Sequence, residues 1–377
     1  MELSDVPNLE SLQLNSCTAL EKLKVYSCES LGTLDVFQSR SLRNMELSDV
    51  PNLESLQLNS CTALEKLKVY SCESLGTLDV FQSRSLRNME LFKVPKLKSL
   101  ELNFCTALEK LKVRGCESLG ALDVLQSRSL RDMEVVRLPR LKSLQLHSCT
   151  ALEELAIRET AVCVLEGSQS LRKLEFYSNQ DLKSLQLHSC VLLEQLGIWS
   201  CTSLSTLEGF QSLGSLTHLY LYDCPGLHSC LEGLPVQGYE LCLQLEFLEI
   251  NDFSFLATPF CKQLKSLQHL VICGFHGETK APGLTDEQET GLLLLGSLTQ
   301  LQFAHYEHLK YIPAGLYRLR SLRVLEISFC PSISRLPDLP PSLEELSILR
   351  GSEELAGQSK SLASSKLKVE IDHQYVH

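Results

Sequence analysis

The chain has 377 residues, of which 44% are apolar, 21% are charged and 6% are aromatic. This apolar content is enough for a continuous core, which excludes a largely disordered chain. The formal charge of −11 argues against a nucleic-acid partner bound by phosphate neutralisation and against an anionic membrane surface. No apolar run approaches the roughly 20 residues that a membrane helix needs, so we expect no membrane partner.

The N-terminal part of the chain is an internal repeat. Residues 1–44 and 45–88 are identical, and residues 89–132 are a third copy with 11 differences in 44 positions. Within each copy an 11-residue template recurs, Leu-x-x-Leu-x-Leu-x-x-Cys/Val-x-x. Apolar residues at positions 4 and 6 alternate with polar ones, which is the period of a β-strand. Together with the 22-residue spacing, this template is the leucine-rich-repeat signature.

The template predicts strands along the whole chain, with partial ones at Met1 and at 367–371. The full strands are expected at 20–25, 42–47, 64–69, 86–91, 108–113, 130–135, 152–157, 171–176, 193–198, 216–221, 245–250, 267–272, 298–303, 322–327 and 343–348. One repeat cannot bury its apolar edge alone, so stacked repeats should share a core. We predict an α/β leucine-rich-repeat solenoid, a horseshoe with a concave parallel β-sheet and a mostly irregular convex side.

The predicted organisation is a single solenoid over residues 1–377. Residues 1–160 form regular 22-residue coils, and residues 161–377 form irregular coils with longer inserts near 225–244 and 276–297. In the second insert, Thr285 and Gln288 have the spacing of a helix capping box. In residues 1–160 the half-repeat leaves an alternative open, in which the register at 53–58 provides the sheet.

The cysteines and histidines carry no recognisable catalytic pattern. Cysteine pairs such as Cys17 and Cys28 are 11 residues apart, on opposite sides of one coil, and are expected to be buried reduced thiols, which fits a reducing compartment. His305 and His308 are expected to be loop histidines. Since the chain contains no phosphate-binding loop, zinc-binding helix motif or nucleophile elbow, we predict no enzyme activity, no cofactor and no metal.

Alternation along each strand places template positions 3, 5 and 7 on the concave face of the sheet. In the middle of the chain these positions are rich in aromatic residues and include the one tryptophan. Exposed aromatic rings on adjacent strands are typical of protein-binding hot spots. The alternative is that the rings cover the sheet or meet a neighbouring domain. The predicted partner-binding residues are Tyr177, Trp199, His218, Tyr220, Tyr222, Phe247, Glu249 and His269.

The C-terminal segments at 283–289, 298–348 and 365–372 resemble the end of a plant intracellular immune receptor. The family is the nucleotide-binding leucine-rich-repeat class, most similar to its cereal-type coiled-coil branch. The resemblance implies plant defence against pathogens through recognition of an effector or a host protein. The family's nucleotide-binding module, with its P-loop and Met-His-Asp motif, is not in this sequence, so we expect a truncated receptor or fragment. An NB-ARC-type module in trans, or in the full-length gene, is a further expected partner.

The leading hypothesis is therefore a cytoplasmic, non-enzymatic protein-recognition module. The first alternative is the substrate-binding arm of a ubiquitin-ligase adaptor, although the sequence shows no F-box. The second is an extracellular receptor ectodomain, against which the lack of a secretory signal and of Asn-x-Ser/Thr acceptors argues. An enzyme is the last alternative.

Overall fold

The structure is a computed structural model that describes residues 1–80, 83–102, 105–124, 126–146, 149–162, 164–166, 169–233, 244–274 and 281–376. The chain divides into two compact units, Met1–Leu193 with Glu208–Phe210, and Glu194–Leu207 with Gln211–His377. Both units consist of leucine-rich-repeat coils, in which each coil adds one parallel strand to a main sheet. The predicted fold class is confirmed. The subdivision of the coils at residue 160 remains a prediction.

The strands of the first unit are β1 (Glu2–Ser4), β2 (Ser11–Asn15), β3 (Lys22–Tyr26), β4 (Thr33–Phe37), β5 (Asn44–Ser48), β6 (Ser55–Gln57), β7 (Lys66–Tyr70), β8 (Thr77–Asp79), β9 (Asn88–Phe92), β10 (Ser99–Glu101), β11 (Lys110–Arg114), β12 (Ala121–Asp123), β13 (Asp132–Leu138), β14 (Ser143–Gln145), β15 (Glu154–Thr160), β16 (Val164–Glu166), β17 (Lys173–Tyr177) and β18 (Ser184–Gln186). From β2 to β15 these strands begin every 11 residues, and the spacing then shortens before β16 and β17.

The main sheet of the first unit contains the odd-numbered strands from β1 to β17, all parallel and paired in chain order. Lys22 pairs with Asn44, and Lys66 pairs with Asn88, so one coil is 22 residues long. The preferred strand register is therefore confirmed in the repeat region. The competing register, at 53–58, lies in a different sheet.

That second register forms strands, where we expected a mostly irregular side. The strands β2, β4, β6 and β8 form a parallel four-stranded sheet, and β10 pairs with β12 and β14 with β16. The reason is that the half-repeat carries the same alternating template, as in the segment Ser55–Gln57 with its buried Leu56. Equal spacing lets identical half-repeats pair in the same way as the full repeats.

The second unit has fewer regular half-repeats and more helical connections. Its part of the chain contains β19 (Gln195–Trp199), β20 (Thr206–Glu208), β21 (His218–Tyr222), β22 (Phe247–Ile250), β23 (His269–Cys273), β24 (Gln300–Ala304), β25 (Val324–Ser328), β26 (Glu345–Leu349), β27 (Lys368–Ile371) and β28 (Gln374–Val376). Short 3-10 turns lie at Phe210–Ser212, Phe253–Ala257, Cys261–Gln263 and Ala314–Arg318. The helices are α1 (Pro225–Glu232), α2 (Asp286–Leu293) and α3 (Glu353–Lys360).

The main sheet of the second unit is parallel from β19 to β27, without β20, and ends with β28 antiparallel to β27. Helices α1 and α2 lie in the two inserts predicted from the sequence. At α2 the predicted capping box is confirmed, because the Gln288 N–H donates to Thr285 Oγ1 at 3.3 Å and the Thr285 N–H donates to Gln288 Oε1 at 2.9 Å. Residues 234–243 of the first insert and 276–280 of the second lie outside the described residues.

The core of each unit is a stack of buried template positions. In the first unit Leu23 and Val25 of β3 are fully buried, and in the second unit Leu219 of β21 is fully buried. Burial of one such side chain contributes about 1.5–3 kcal/mol to the free energy of folding. Since no coil encloses its own apolar residues, this stabilisation depends on the neighbouring coil.

The exit from each main-sheet strand is a second coil-to-coil contact. Template position 8 adopts a left-handed backbone, as at Asp49 (φ 55°) and Ser71 (φ 52°). This conformation directs the Asp49 N–H to the Tyr70 carbonyl at 3.1 Å and the Ser71 N–H to the Phe92 carbonyl at 2.8 Å, each in the next coil. The third repeat copy has Gly115 at this position, with φ 67°. The left-handed turn thus links neighbouring coils after each main-sheet strand from β1 to β11.

The cysteine at position 9 lies just behind this turn. The Cys28 thiol donates to the Tyr26 carbonyl at 3.4 Å, and the Cys72 thiol donates to the Tyr70 carbonyl at 3.5 Å. Burial raises the pKa of Cys72 to about 12, so this side chain is a thiol at neutral pH. The cysteines in the described part of the chain form no disulfide bond, and those other than Cys17 and Cys230 are buried.

We predict that Gly115→Ala lowers the free energy of unfolding by about 1 kcal/mol, because an L-residue at φ 67° is strained. Gly120→Ala is the matched control, since a Cβ there meets nothing within 4 Å and its φ is ordinary. This control should raise the free energy of unfolding by at most about 1 kcal/mol. Urea unfolding of both variants measures the difference. Equal effects would contradict a role for the left-handed turn.

We predict that Leu219→Asp unfolds the coils around β21, because it places a charge among fully buried side chains. The expected loss is more than about 4 kcal/mol. Leu219→Met is the control and should lose less than about 1.5 kcal/mol. Circular dichroism melting checks both, and a native-like spectrum for Leu219→Asp would show that the strand register is wrong.

Candidate functional site

The outer face of the main sheet in the second unit begins with a tryptophan folded back over a glycine. Gly197 and Trp199 both lie on β19, two residues apart, so their side-chain positions face the same way. A Cβ atom added to Gly197 would lie 1.8 Å from Cη2 of Trp199. The absence of a side chain at Gly197 is therefore what lets the indole ring lie flat on its own strand.

From Trp199 a series of ring contacts crosses the neighbouring strands. The ring centroids of Trp199 and Tyr220 are 5.7 Å apart, and those of Tyr220 and Phe247 are 5.1 Å apart. Phe247 also stacks on His218 at 5.5 Å and meets His269 edge-on at 4.8 Å. Such offset and edge-to-face geometries are favourable, at about 0.5–1.5 kcal/mol for a pair. These five residues, which are all partly exposed, are called the aromatic patch below.

The strand register explains why these rings meet. Template position 3 places His218 beside Phe247 and Phe247 beside His269. Position 5 places Gly197 beside Tyr220, and Tyr220 beside Glu249. Side chains at equivalent positions of neighbouring parallel strands lie about 4.8 Å apart, which is the spacing of stacked rings. The sequence prediction that β19 to β23 carry these residues on one face is therefore matched by their geometry.

Tyr222 is buried, which corrects the expectation that its ring is exposed on the same face as the others. Its side chain is 8% exposed and lies with Val271, Cys273 and Ala304, and its hydroxyl donates to the Cys273 carbonyl at 2.8 Å. The physical reason is that the next strands carry short side chains at their outward positions, which leaves space that the large ring of Tyr222 fills. Trp199 and Phe247 pack against this cluster, so Tyr222 supports the patch from below.

Tyr177 lies in the first unit, on β17, and its described contact is with Arg158. The guanidinium carbon of Arg158 lies 4.2 Å from the centroid of the Tyr177 ring, which is a cation–π contact. The Tyr177 side chain is partly exposed. Its participation in partner binding stays a prediction.

Two ionisable groups in and beside the aromatic patch have shifted pKa values. Burial raises the pKa of the Glu249 carboxyl, because the ionised form loses hydration. Burial, and then the neighbouring His218, lower the pKa of His269. The lowered pKa favours the neutral imidazole of His269 at neutral pH, and the raised pKa of Glu249 shows that burial disfavours its ionised carboxylate.

Sequence analysis missed a buried tyrosine that holds the loop after β22. The Tyr306 hydroxyl donates to the Asn251 carbonyl at 2.7 Å, and the ring stacks on Phe253 at 4.8 Å. Tyr306 occupies position 9 of its coil, where the template has cysteine, and this departure is the signal that could have identified it. The contact fixes the chain immediately after Glu249.

A metal site was also sought among the described residues. They contain no group of three or more His, Cys, Asp or Glu side chains arranged to hold a metal ion. His305 stacks on Phe329, with centroids 4.5 Å apart. Among the helices that the structure describes, none is long and apolar enough to cross a bilayer.

We predict that Gly197→Ala displaces the Trp199 ring, because the new Cβ would overlap it, and so changes the indole fluorescence. Trp199 is the single tryptophan of the chain, so the emission reports this ring alone. Gly214→Ala is the control, since a Cβ there meets nothing within 4 Å and should leave the emission unchanged. Unchanged emission for Gly197→Ala would contradict the folded-back ring.

Comparison with known proteins shows a partial similarity to a plant protein. The disease resistance protein RPS4B of Arabidopsis thaliana is 30% identical over 190 residues, which cover 43% of this chain and 16% of that protein. The chain thus spans about one sixth of the length of this relative. No protein-family profile matches the chain.

Among solved structures, the functional domain of InlJ from Listeria monocytogenes has a TM-score of 0.46 at 17% identity, over 91% of this chain and 68% of that one. TLR13, solved as a complex with ssRNA13, has a TM-score of 0.48 at 16% identity, over 97% of this chain and 65% of that one. The internalin inlF of Listeria monocytogenes has a TM-score of 0.34 at 14% identity, over 93% and 80%. The leucine-rich-repeat fold of this chain itself follows from its strand ladder and buried template positions.

Proposed function

We propose that this chain is a non-enzymatic recognition module that binds a protein partner through the aromatic patch, in a plant defence response to pathogens. The observation that carries the proposal is the patch itself, Trp199, His218, Tyr220, Phe247 and His269 in mutual contact on neighbouring strands. Tryptophan and tyrosine dominate the binding energy of protein interfaces, since they bury large rigid surfaces. The partner is a pathogen effector or a host protein.

The defence role is supported by the partial similarity to the RPS4B protein, which is named as a disease resistance protein. The role of the patch is supported by its preorganisation. Gly197 and Tyr222 hold the rings in place from below, so little side-chain entropy remains to be lost when a partner binds. A preorganised aromatic surface is suited to binding a protein partner.

Trp199→Ala or Tyr220→Ala should weaken partner binding by about 10-fold or more, which is the size of a hot-spot effect. Both rings are partly exposed, so the melting temperature should change little. The measurement is capture of proteins from extracts of infected and uninfected leaves by the immobilised chain, with quantitative mass spectrometry. Each protein whose capture depends on these rings is then purified and its Kd measured.

Tyr311→Ala is the matched control, because Tyr311 is a 67% exposed tyrosine in the same unit and outside the aromatic patch. It should leave both capture and Kd unchanged. Equal capture by all variants would refute binding through the patch. A large fall in melting temperature for Trp199→Ala would show that the ring serves the core.

A further inference from the structure

Acidic residues at template position 5 face donors on the preceding coil. In the first unit Glu46 lies 3.6 Å from the Lys24 ammonium, and Glu90 lies 3.5 Å from that of Lys68. The same spacing pairs Glu134 with Lys112 at 3.8 Å. In the second unit Glu326 accepts a hydrogen bond from Gln302 Nε2 at 2.8 Å. A carboxylate at this position is thus normally met by a donor one coil earlier.

Glu249 has no such donor, and it also lacks the contact within one strand that Glu175 makes with Lys173 at 3.0 Å. Its neighbours in the register are Tyr220 on one side and Val271 on the other, and neither is a cation. Within the described part of the chain its carboxylate makes no hydrogen bond or ion pair, although the residue is half buried. Burial raises its pKa, because the ionised form loses hydration.

The surroundings of Glu249 are suited to a cation. Phe247 precedes it by two residues on the same face, and Tyr220 lies beside it, with the two ring centroids 5.1 Å apart. Ring faces attract cations, and the chain already uses this interaction where Arg158 lies 4.2 Å above the Tyr177 ring. His269, whose pKa is lowered, is neutral at neutral pH and does not repel an incoming positive charge.

We propose that Glu249, Tyr220 and Phe247 form a subsite for an arginine side chain of the protein partner. The guanidinium group would stack on the rings and donate two hydrogen bonds to the Glu249 carboxylate. Arginine fits better than lysine because its planar group can stack and bind a carboxylate bidentately at once. A free metal ion fits poorly, since a single carboxylate beside aromatic rings offers too few oxygen ligands. This inference rests on the proposed function.

The direct test uses N-acetyl-arginine amide as the probe, titrated to about 50 mM at constant ionic strength. The readout is the emission of Trp199, whose ring lies 5.7 Å from that of Tyr220. We expect a saturable change with this probe and at least a 10-fold weaker response to N-acetyl-citrulline amide, which has the same shape without the charge. No saturation, or an equal response to both compounds, would overturn the proposal.

Glu249→Gln should weaken arginine binding at least 10-fold, because it removes the charge and keeps the shape. Glu326→Gln is the matched control at the same template position on β25 and should bind as the wild type does. Equal binding by Glu249→Gln and the wild type would overturn the subsite, and so would an equal loss in the control.

A stability measurement distinguishes a binding role of Glu249 from a structural role. Because the folded pKa of Glu249 is raised, the unfolded carboxyl loses its proton at lower pH than the folded one, and the fold loses stability as pH rises through that interval. Glu249→Gln removes this loss, so its melting temperature at pH 7 should equal or exceed that of the wild type. A lower melting temperature would show that the carboxylate stabilises the fold and would overturn the proposal.

The two proposals fail in different ways. If a purified partner loses affinity for Trp199→Ala but not for Glu249→Gln, the arginine subsite is wrong and recognition through the aromatic patch stands. If the arginine probe binds in a Glu249-dependent way but no protein depends on Trp199, the subsite stands and the proposed function is wrong.

Discussion

The stacking of coils is the constraint on which the other features depend. A coil completes its core and its hydrogen bonds only against the next coil, through buried residues such as Leu23 and Val25 and through turns such as that at Ser71. The inward positions and the turn are therefore restricted in size and backbone conformation. The outward positions of the same strands carry no such restriction, which leaves them available for binding.

The two units use these outward positions differently. In the first unit position 5 alternates between basic and acidic residues as far as Glu134, so charges such as Lys68 and Glu90 pair between coils. In the second unit the series is Gly197, Tyr220, Glu249 and Val271. On the surface of the first unit the charges are neutralised by one another. The series in the second unit instead presents aromatic rings and one carboxylate that a partner could contact. The proposed recognition surface therefore lies where the repeat departs from its own period.

The sequence was sufficient to predict the features that follow from the repeat period. These are the main-sheet strands, their register and the face that holds the aromatic patch. The capping box at Thr285 was also readable, because it is a local contact between residues three apart. Tyr222 was assigned to the wrong environment, because its burial depends on Cys273 and Ala304, which lie more than 50 residues away. The half-repeat strands, such as β2 and β4, were not expected. The template alone does not determine how many half-repeats pair with one another on the side of the coil opposite the main sheet.

The unpaired carboxylate of Glu249 shows how a stable scaffold can carry a locally unfavourable group. Desolvation of a charge without a donor costs free energy, and the raised pKa of Glu249 is the sign of that cost. The fold tolerates this cost because its stability comes from other contacts. These are the stacking of the coils and the hydrogen bonds that Tyr222 and Tyr306 donate. A partner that supplies the missing donor would remove this penalty on binding, so the same group would add to affinity and would discriminate against partners without a cation at that place. Uncharged partners could still pack on the rings, but they would leave the carboxylate buried without a donor.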